Sequence, residues 1–323
     1  MRLLSIALAF AVAFGASTAR GDRDDRPKQG VVEHDIVRGG LEDDEAIKSV
    51  VVDNRLGNVE IEGHDKNEIV VIVVKRAPDQ DTLNRLRVAL VSNPNGAISI
   101  GTALKASAVE SRPVPAGSVR VDLVVRAPRT AKVGARLWNG SVEVKSVDNG
   151  ADLTVNEGSI DVRHVSGAIK TQSAVGGQRF LELIDATIRA QAVHGDMNLD
   201  TITGEELEAT VHDGSVTGRN VRVSNAVVRT TTGDITFHGE IKAGGVYRLA
   251  SVRGDVELKV RVVGSVKVQA RAQKGTVSLP SSFEARDDLE TGFVTGSFGT
   301  GKEAAQISLR STHGSVTLVD WDF

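Results

Sequence analysis

The stretch GSVEVKSVDNGADLTVNEGSIDV, residues 140–162, decides the fold. It begins and ends on the same unit: a Gly, a small or polar residue, then apolar, polar and apolar residues in turn. Alternation such as Val142-Glu143-Val144 sends every second side chain of an extended chain to one face. The unit recurs as GNVEI at 57, GDMNL at 195, GDITF at 233, GDVEL at 254, GSVKV at 264, GTVSL at 275 and GSVTL at 314, with weaker copies GAIKT at 167 and GSVTG at 214. From 140 to 275 most gaps between these glycines are 9–11 or 18–21 residues, and one is 28. A recurrence of this kind marks one supersecondary unit whose copies bury their apolar faces on each other. A second strand precedes the glycine, as in Ala186-Thr187-Ile188-Arg189-Ala190 and Ile307-Ser308-Leu309-Arg310. The sequence therefore predicts an all-β chain, a parallel β-solenoid with 18–21 residues per coil. Gly140, Gly158, Gly195, Gly233, Gly254, Gly275 and Gly314 are its expected corners, where a residue without Cβ adopts positive φ at no steric cost. Asp196, Asp234, Asp255, Ser141 and Ser315, each just after a glycine, are placed to hydrogen-bond the turn backbone.

Composition agrees. The 323 residues include 33 Gly and only 7 Pro, with 40% apolar and 25% charged residues, as in a folded chain rich in tight turns. No cysteine is present, which removes disulfides, thiolate metal sites and cysteine nucleophiles together. The 39 basic and 42 acidic residues leave no charge excess with which to hold nucleic acid.

Residues 1–19 read as a signal peptide: Arg2, an apolar run from Leu3 to Phe14, then small residues up to a cleavage position after Ala19. That run is too short to span a bilayer, and no later segment is longer, so the mature chain is expected to lack a transmembrane segment. Residues 20–48 mix both charge signs around Gly and Pro and read as a flexible polar leader. The remainder divides into an N-terminal β segment at 49–130 and a strand-repeat solenoid at 131–323. In the former, Leu83, Leu86 and Leu90 within PDQDTLNRLRVAL (78–90) have helical spacing and predict a short capping helix. In the latter, residues 280–304 lose the pattern and read as an irregular loop. Its Phe283, Phe293 and Phe298 are a candidate contact surface in a chain with only 3% aromatic residues. The closing Val319-Asp320-Trp321-Asp322-Phe323 is expected to end in an edge strand.

VVDNRLGNVEIEGHDKNEIVV at 51–71, VDLVVRAPRT at 121–130 and the serial G-[DST]-[VIM]-x-[LVF] units make residues 49–323 similar to a family of exported bacterial strand-repeat proteins described as candidate adhesins. The resemblance implies a β-solenoid or β-helix-like domain and brings no catalytic residues with it.

No reactive constellation stands out from the repeat. His194 and His313 precede repeat glycines, but no His-x-His or His-Glu-x-x-His spacing accompanies them, so no metal is expected. Asp196, Asp234 and Asp255 do not follow the paired-glycine pattern of calcium-binding β-rolls. Arg253-Gly254-Asp255 matches an integrin-recognition tripeptide but falls in the register that supplies Gly-Asp elsewhere. No Gly-x-Ser-x-Gly elbow is present. No cofactor is expected. The leading expectation is an exported, non-enzymatic structural or adhesin-like module of the cell envelope, periplasmic, outer-surface or secreted. Its partner would be an envelope protein or a polysaccharide, and its state a monomer or an end-to-end dimer. The alternative is a polysaccharide lyase or hydrolase on a β-helix scaffold, which would need charged side chains converging in one groove.

Overall fold

The computed structural model describes residues 30–39, 45–93, 95–105, 118–262, 264–288, 293–299 and 303–320. The signal segment 1–19, Trp321 and Phe323 lie outside them. The described chain winds as a parallel β-solenoid of two faces. Each rung is a first-face strand, a glycine corner and a second-face strand, as in Lys132–Asn139, Gly140 and Val142–Val147. Successive rungs pair in parallel at offsets that follow from the repeat: Ala151 faces Ile169, 18 residues on, Met197 faces Val216, 19 on, and Ile235 faces Val256, 21 on. Inward positions stack into apolar columns. Val142, Ile160, Met197, Val216, Ile235, Val256 and Val316 form one, each at most 1% exposed. Gln178 interrupts this column. It is also buried, with its amide donating to Ser173 Oγ (2.8 Å) and the Gln191 carbonyl (2.7 Å) and accepting from Thr171 Oγ1 (2.6 Å), so its burial leaves no polar group unmet.

The corner glycines form a column of their own. Gly57, Gly140, Gly158, Gly176, Gly195, Gly214, Gly233 and Gly254 have φ between +131° and +151°, and Gly314 and Gly275 continue the stack. A Cβ on Gly158 would run into the carbonyl of Gly140 on the neighbouring rung, and the same collision repeats up the column. Close approach of backbones and positive φ thus demand glycine together from Gly57 to Gly254, whereas at Gly314 and Gly275, expected as positive-φ corners, close approach alone demands it. After several of these glycines the next residue's side chain accepts a hydrogen bond from the corresponding N–H one rung on: Asn58 from Ser141 (2.9 Å), Asp196 from Ser215 (2.8 Å), Asp234 from Asp255 (2.8 Å) and Asp255 from Ser315 (2.7 Å). These side chains therefore bond between rungs, not within their own turns. Gly167 (φ +86°) and Gly264 (φ +98°) instead open first-face strands at other bends, which corrects their grouping with the corner units.

A second bend runs along the outer side of the second face. Ser146, His164, Glu182, Thr201 and Asn220, on successive rungs, have φ between +51° and +58°. In each rung two outward residues precede the next buried apolar one, as in Lys145-Ser146-Val147, and the bulge repeats in register so that parallel pairing survives.

At both ends spatial order departs from chain order. The last rung, Ala305–His313 with Val316–Asp320, lies between the Gly254 rung and the Gly275 rung. Val316 and Thr317 are therefore paired on both sides, whereas Val319 and Asp320 pair only with Lys259 and Val260, and 321–323, the rest of the expected closing edge strand, lie outside the described residues. The Gly57 rung, Ser49–Leu56 with Val59–His64, lies between Lys132–Val147 and the outer pair Ala97–Leu104 and Arg120–Pro128. One stack thus crosses residue 130, and no division falls there. Antiparallel strands cover the ends: Ile69–Ala77 on Arg120–Pro128, Leu86–Asn93 on Ala97–Leu104, and Phe293–Phe298 on Val266–Ala272. Covered ends present fewer open backbone groups to other chains.

Three further expectations are corrected here. Part of the leader is ordered, because Val31–Gly39 is a strand antiparallel to Ile69–Ala77. Lys75, buried at 9% exposure, reaches both Glu33 and Asp35 at 2.7 Å. Burial alone would lower its pKa, yet the two carboxylates outweigh this and raise it. The helix spans only Gln80–Arg85, with Asp79 accepting from the Thr82 N–H at 2.7 Å, and Leu86–Asn93 is a strand because it pairs with Ala97–Leu104. Finally, Glu284–Asp288 and Phe293–Phe298 form an antiparallel pair where an irregular loop had been expected.

Candidate functional site

The outward side of the first face carries a groove of about 1660 Å³ running across the rungs from Asp53 to Thr231. Its floor follows from strand register. Arg136, Thr154, Gln172, Gln191 and Thr210 are mutually aligned, one per rung, and Asp53 is aligned with Arg136. Two residues further along the strands stand Trp138, Asn156, Ala174, Val193 and His212. Intervening residues Leu137, Val155, Ser173, Ala192 and Val211 point inward and are buried, so strand alternation itself lifts the floor side chains into solvent. Rungs lie about 4.8 Å apart, which sets the repeat of the floor.

One end of the groove is walled by Leu86, Ala89 and Leu104 of the antiparallel pair at the stack's end. This wall is fixed by buried Asn54, whose amide donates to the Val121 carbonyl at 2.8 Å and accepts from Thr102 Oγ1 at 2.7 Å. Trp138 stands beside it at 67% exposure, in a sequence with two tryptophans in all. Along the floor, Gln172 Nε2 donates to Gln191 Oε1 at 3.4 Å. Asn156, Gln172, Gln191, Thr154 and Thr210 each present both donors and acceptors without net charge. An indole face beside uncharged amides and hydroxyls suits a ligand that is apolar on one side and rich in hydroxyl or amide groups on another. Among the groove-lining residues the Asp and Arg side chains are confined to Asp53, Arg55 and Arg136 at the Trp138 end.

The residues singled out from sequence lie elsewhere. Gly140, Gly158, Gly195, Gly233, Gly254, Gly275 and Gly314 lie in the corner column. Phe283 is 5% exposed and its ring tilts against Phe298, with centroids 5.5 Å apart, so these two close the end of the core instead of forming a contact surface. Phe293 is half-buried, with the guanidinium carbons of Arg271 and Arg310 at 5.4 and 5.2 Å from its ring centre. His194 sits one rung from Asp213 at 3.4 Å, and His313 is aligned with Arg253. Among the described residues no group of three or more His, Asp or Glu is placed to hold a metal ion. Asp255 of the Arg253-Gly254-Asp255 tripeptide accepts from Ser315, and Arg253 donates to Thr232 Oγ1 at 2.8 Å. Trp138, Gln172 and Gln191 were not singled out from sequence. Their signal is the outward phase of ARLWN and IKTQS, where a large ring or amide falls between inward residues.

Residues 43–319 match the Toastrack DUF4097 family. No curated protein is matched. Among solved structures, a candidate adhesin from Bacteroides fragilis NCTC 9343 is 13% identical, over 89% of this chain and 97% of that one, with a TM-score of 0.41. A candidate lipid-binding protein from Parabacteroides distasonis ATCC 8503 is 12% identical over 88% and 96%, with a TM-score of 0.36. A candidate cell adhesion protein from Clostridium sporogenes ATCC 15579 is 11% identical over 90% and 100%, with a TM-score of 0.22. Superposition on these structures is loose, whereas the family match runs from just before the Gly57 rung into the last strand. The chain belongs to the Toastrack DUF4097 family.

Proposed function

We propose that the protein is an exported, non-enzymatic, adhesin-like binding module of the bacterial cell envelope, and that its ligand is an envelope polysaccharide lying in the first-face groove. The observation that carries this reading is the floor itself: uncharged amides and hydroxyls repeated rung by rung beside the exposed ring of Trp138. A linear polyol crossing the rungs meets equivalent donors and acceptors at each step, and its apolar sugar faces stack on the indole. The signal-like segment at 1–19 supports export. Among the described residues no helix is long and apolar enough to cross a membrane.

The enzyme alternative is weaker on chemistry. Asp53, Arg55 and Arg136 do share the groove, but Asp53 is the single carboxylate among its lining residues, and glycoside hydrolysis by the common route uses two. The test is a screen of envelope polysaccharide fragments against the chain from residue 20 onward, with product release followed in the same wells. Saturable binding without turnover, weakened about tenfold or more in Trp138→Ala with unchanged circular dichroism, is expected, since removing a stacking ring costs about 1–3 kcal/mol. Turnover, or binding indifferent to Trp138, overturns the proposal.

A further inference from the structure

The outward bulge that repeats through Ser146, His164, Glu182, Thr201 and Asn220 is absent from the Gly233 rung that follows. Between the Gly214 and Gly233 rungs the register slips: Gly218 faces Phe237 and Val221 faces Gly239, so Arg219 and Asn220 together oppose His238 alone. The next rung is regular, with Gly239 facing Val260 and Glu240 facing Arg261. Gly239 has no side chain to fill the step, and a Cβ there would strike the Val221 carbonyl, so glycine is required where bulged and regular rungs meet. A recess of about 600 Å³ results, lined by Arg219, Asn220, Arg222, His238, Glu240 and Arg261 around Gly239.

Its charge is one-sided. The carboxylates aligned nearby are Asp200, next to Arg219, and Glu240 and Glu257. Glu240 is held by Arg261 at 3.0 Å and Glu257 by Lys259 at 2.7 Å. Among the described residues no carboxylate lies within ion-pair distance of Arg219 or Arg222. Burial first, and then the Lys259 cation, holds His238 below the usual imidazole range, consistent with a positive local field. Arg219 and Arg222 lie two rungs, or about 10 Å, from Arg261, a span that guanidinium side chains close from both sides.

We propose that this recess is a binding site for a phosphate-type tetrahedral oxyanion, with Arg219 and Arg222 as its principal donors, Arg261 turning from Glu240 to share the anion and the Asn220 amide donating beside them. Forked guanidinium donors match the paired oxygens of such a group better than ammonium does. The site is separate from the first-face groove and does not depend on the reading given to it.

The test is calorimetric titration of the chain from residue 20 onward with inorganic phosphate and with glucose 1-phosphate, alongside flotation with phosphatidylcholine vesicles with and without phosphatidic acid. Saturable binding of both small phosphates is expected, weakening with added salt as exposed charge pairing does. In Arg219→Gln/Arg222→Gln it should fall about tenfold or more, with an unchanged melting temperature, because charge-assisted hydrogen bonds are lost. Trp138→Ala should leave it intact, which separates failure here from failure of the groove. Flotation with phosphatidic acid that depends on both arginines assigns a lipid source to the oxyanion, and its absence a soluble one. Equal phosphate binding by wild type and double variant, or none by either, overturns the proposal.

Discussion

The two bends of the rungs from Gly140 to Gly214 reach the same end by opposite means. At the glycine corner, Gly140 through Gly254, backbones of adjacent rungs approach so closely that any Cβ would collide with the carbonyl one rung away. At the bulge, Ser146, His164, Glu182, Thr201 and Asn220 also have positive φ, yet all carry side chains, which point outward. Each such residue costs about 1–2 kcal/mol relative to glycine in the left-handed region. Stacking makes the bulge persist, since its loss in one rung would break register with both neighbours, and side-chain contacts such as His164 Nε2 with Glu182 Oε2 at 2.5 Å run along it. Close backbone contact fixes residue type at the first bend, whereas register fixes conformation at the second.

The largest effect that would break this contrast is at the corner. Gly233→Val adds both strain at φ +135° and a collision with the Gly214 carbonyl, so a loss of about 3 kcal/mol or more in urea unfolding is expected. A loss below about 1 kcal/mol would mean that the corner relaxes and that glycine is not dictated by the stack.

Next comes the acceptor column beside it. In Asp255→Ala the Ser315 N–H loses the carboxylate that it meets at 2.7 Å, and stability should fall by about 1–2 kcal/mol. Hydrogen exchange at Ser315 should quicken while amides at the bulge keep their protection. Unchanged exchange at Ser315 would show that water replaces the carboxylate fully.

At the bulge the sign reverses. Thr201 is β-branched at φ +57°, and its hydroxyl donates to the adjacent Asp200 Oδ1 at 2.9 Å and accepts a long contact from Asn220 at 3.4 Å. Thr201→Gly should raise stability by up to about 1 kcal/mol, through relief of strain offset in part by loss of the Asp200 hydrogen bond and by the entropy of glycine in the unfolded chain. A destabilised variant would show that side-chain stacking, and not register, holds the second bend.

The two bends also differ in how far they can be read from sequence. Glycine followed by Asp or Ser is conspicuous, and it leads directly to most of the corner column and to the coil length. Gly176 escaped because its unit is GGQRF, where buried Gln178 replaces the apolar residue and a hydrogen-bonded network replaces apolar packing. The bulge leaves a fainter mark, two polar residues together where one is expected, as in VEVKSV and IDVRHV. The swapped end rungs leave none, because an apolar-polar alternation fits either neighbour equally well. The charges of VVEHDIVRG conceal a strand whose Glu33 and Asp35 are met by Lys75 from a distant segment. Neither site was legible as a unit: the groove draws one residue from each rung, and the oxyanion recess exists only because the bulge stops between two rungs.

The smallest effect belongs to a position that neither bend touches. Glu257 lies mid-strand and outward, half-exposed, with Lys259 at 2.7 Å. Surface pairs of this kind contribute about 0–1 kcal/mol, and threonine suits an outward strand position, so Glu257→Thr should shift stability by less than about 0.5 kcal/mol. Because Glu257 also restrains Lys259 near the recess, its removal should slightly strengthen phosphate binding while leaving the melting temperature in place. A loss above about 1 kcal/mol would place a substantial share of the stack's stability on its outward charge ladders and take it away from the bends.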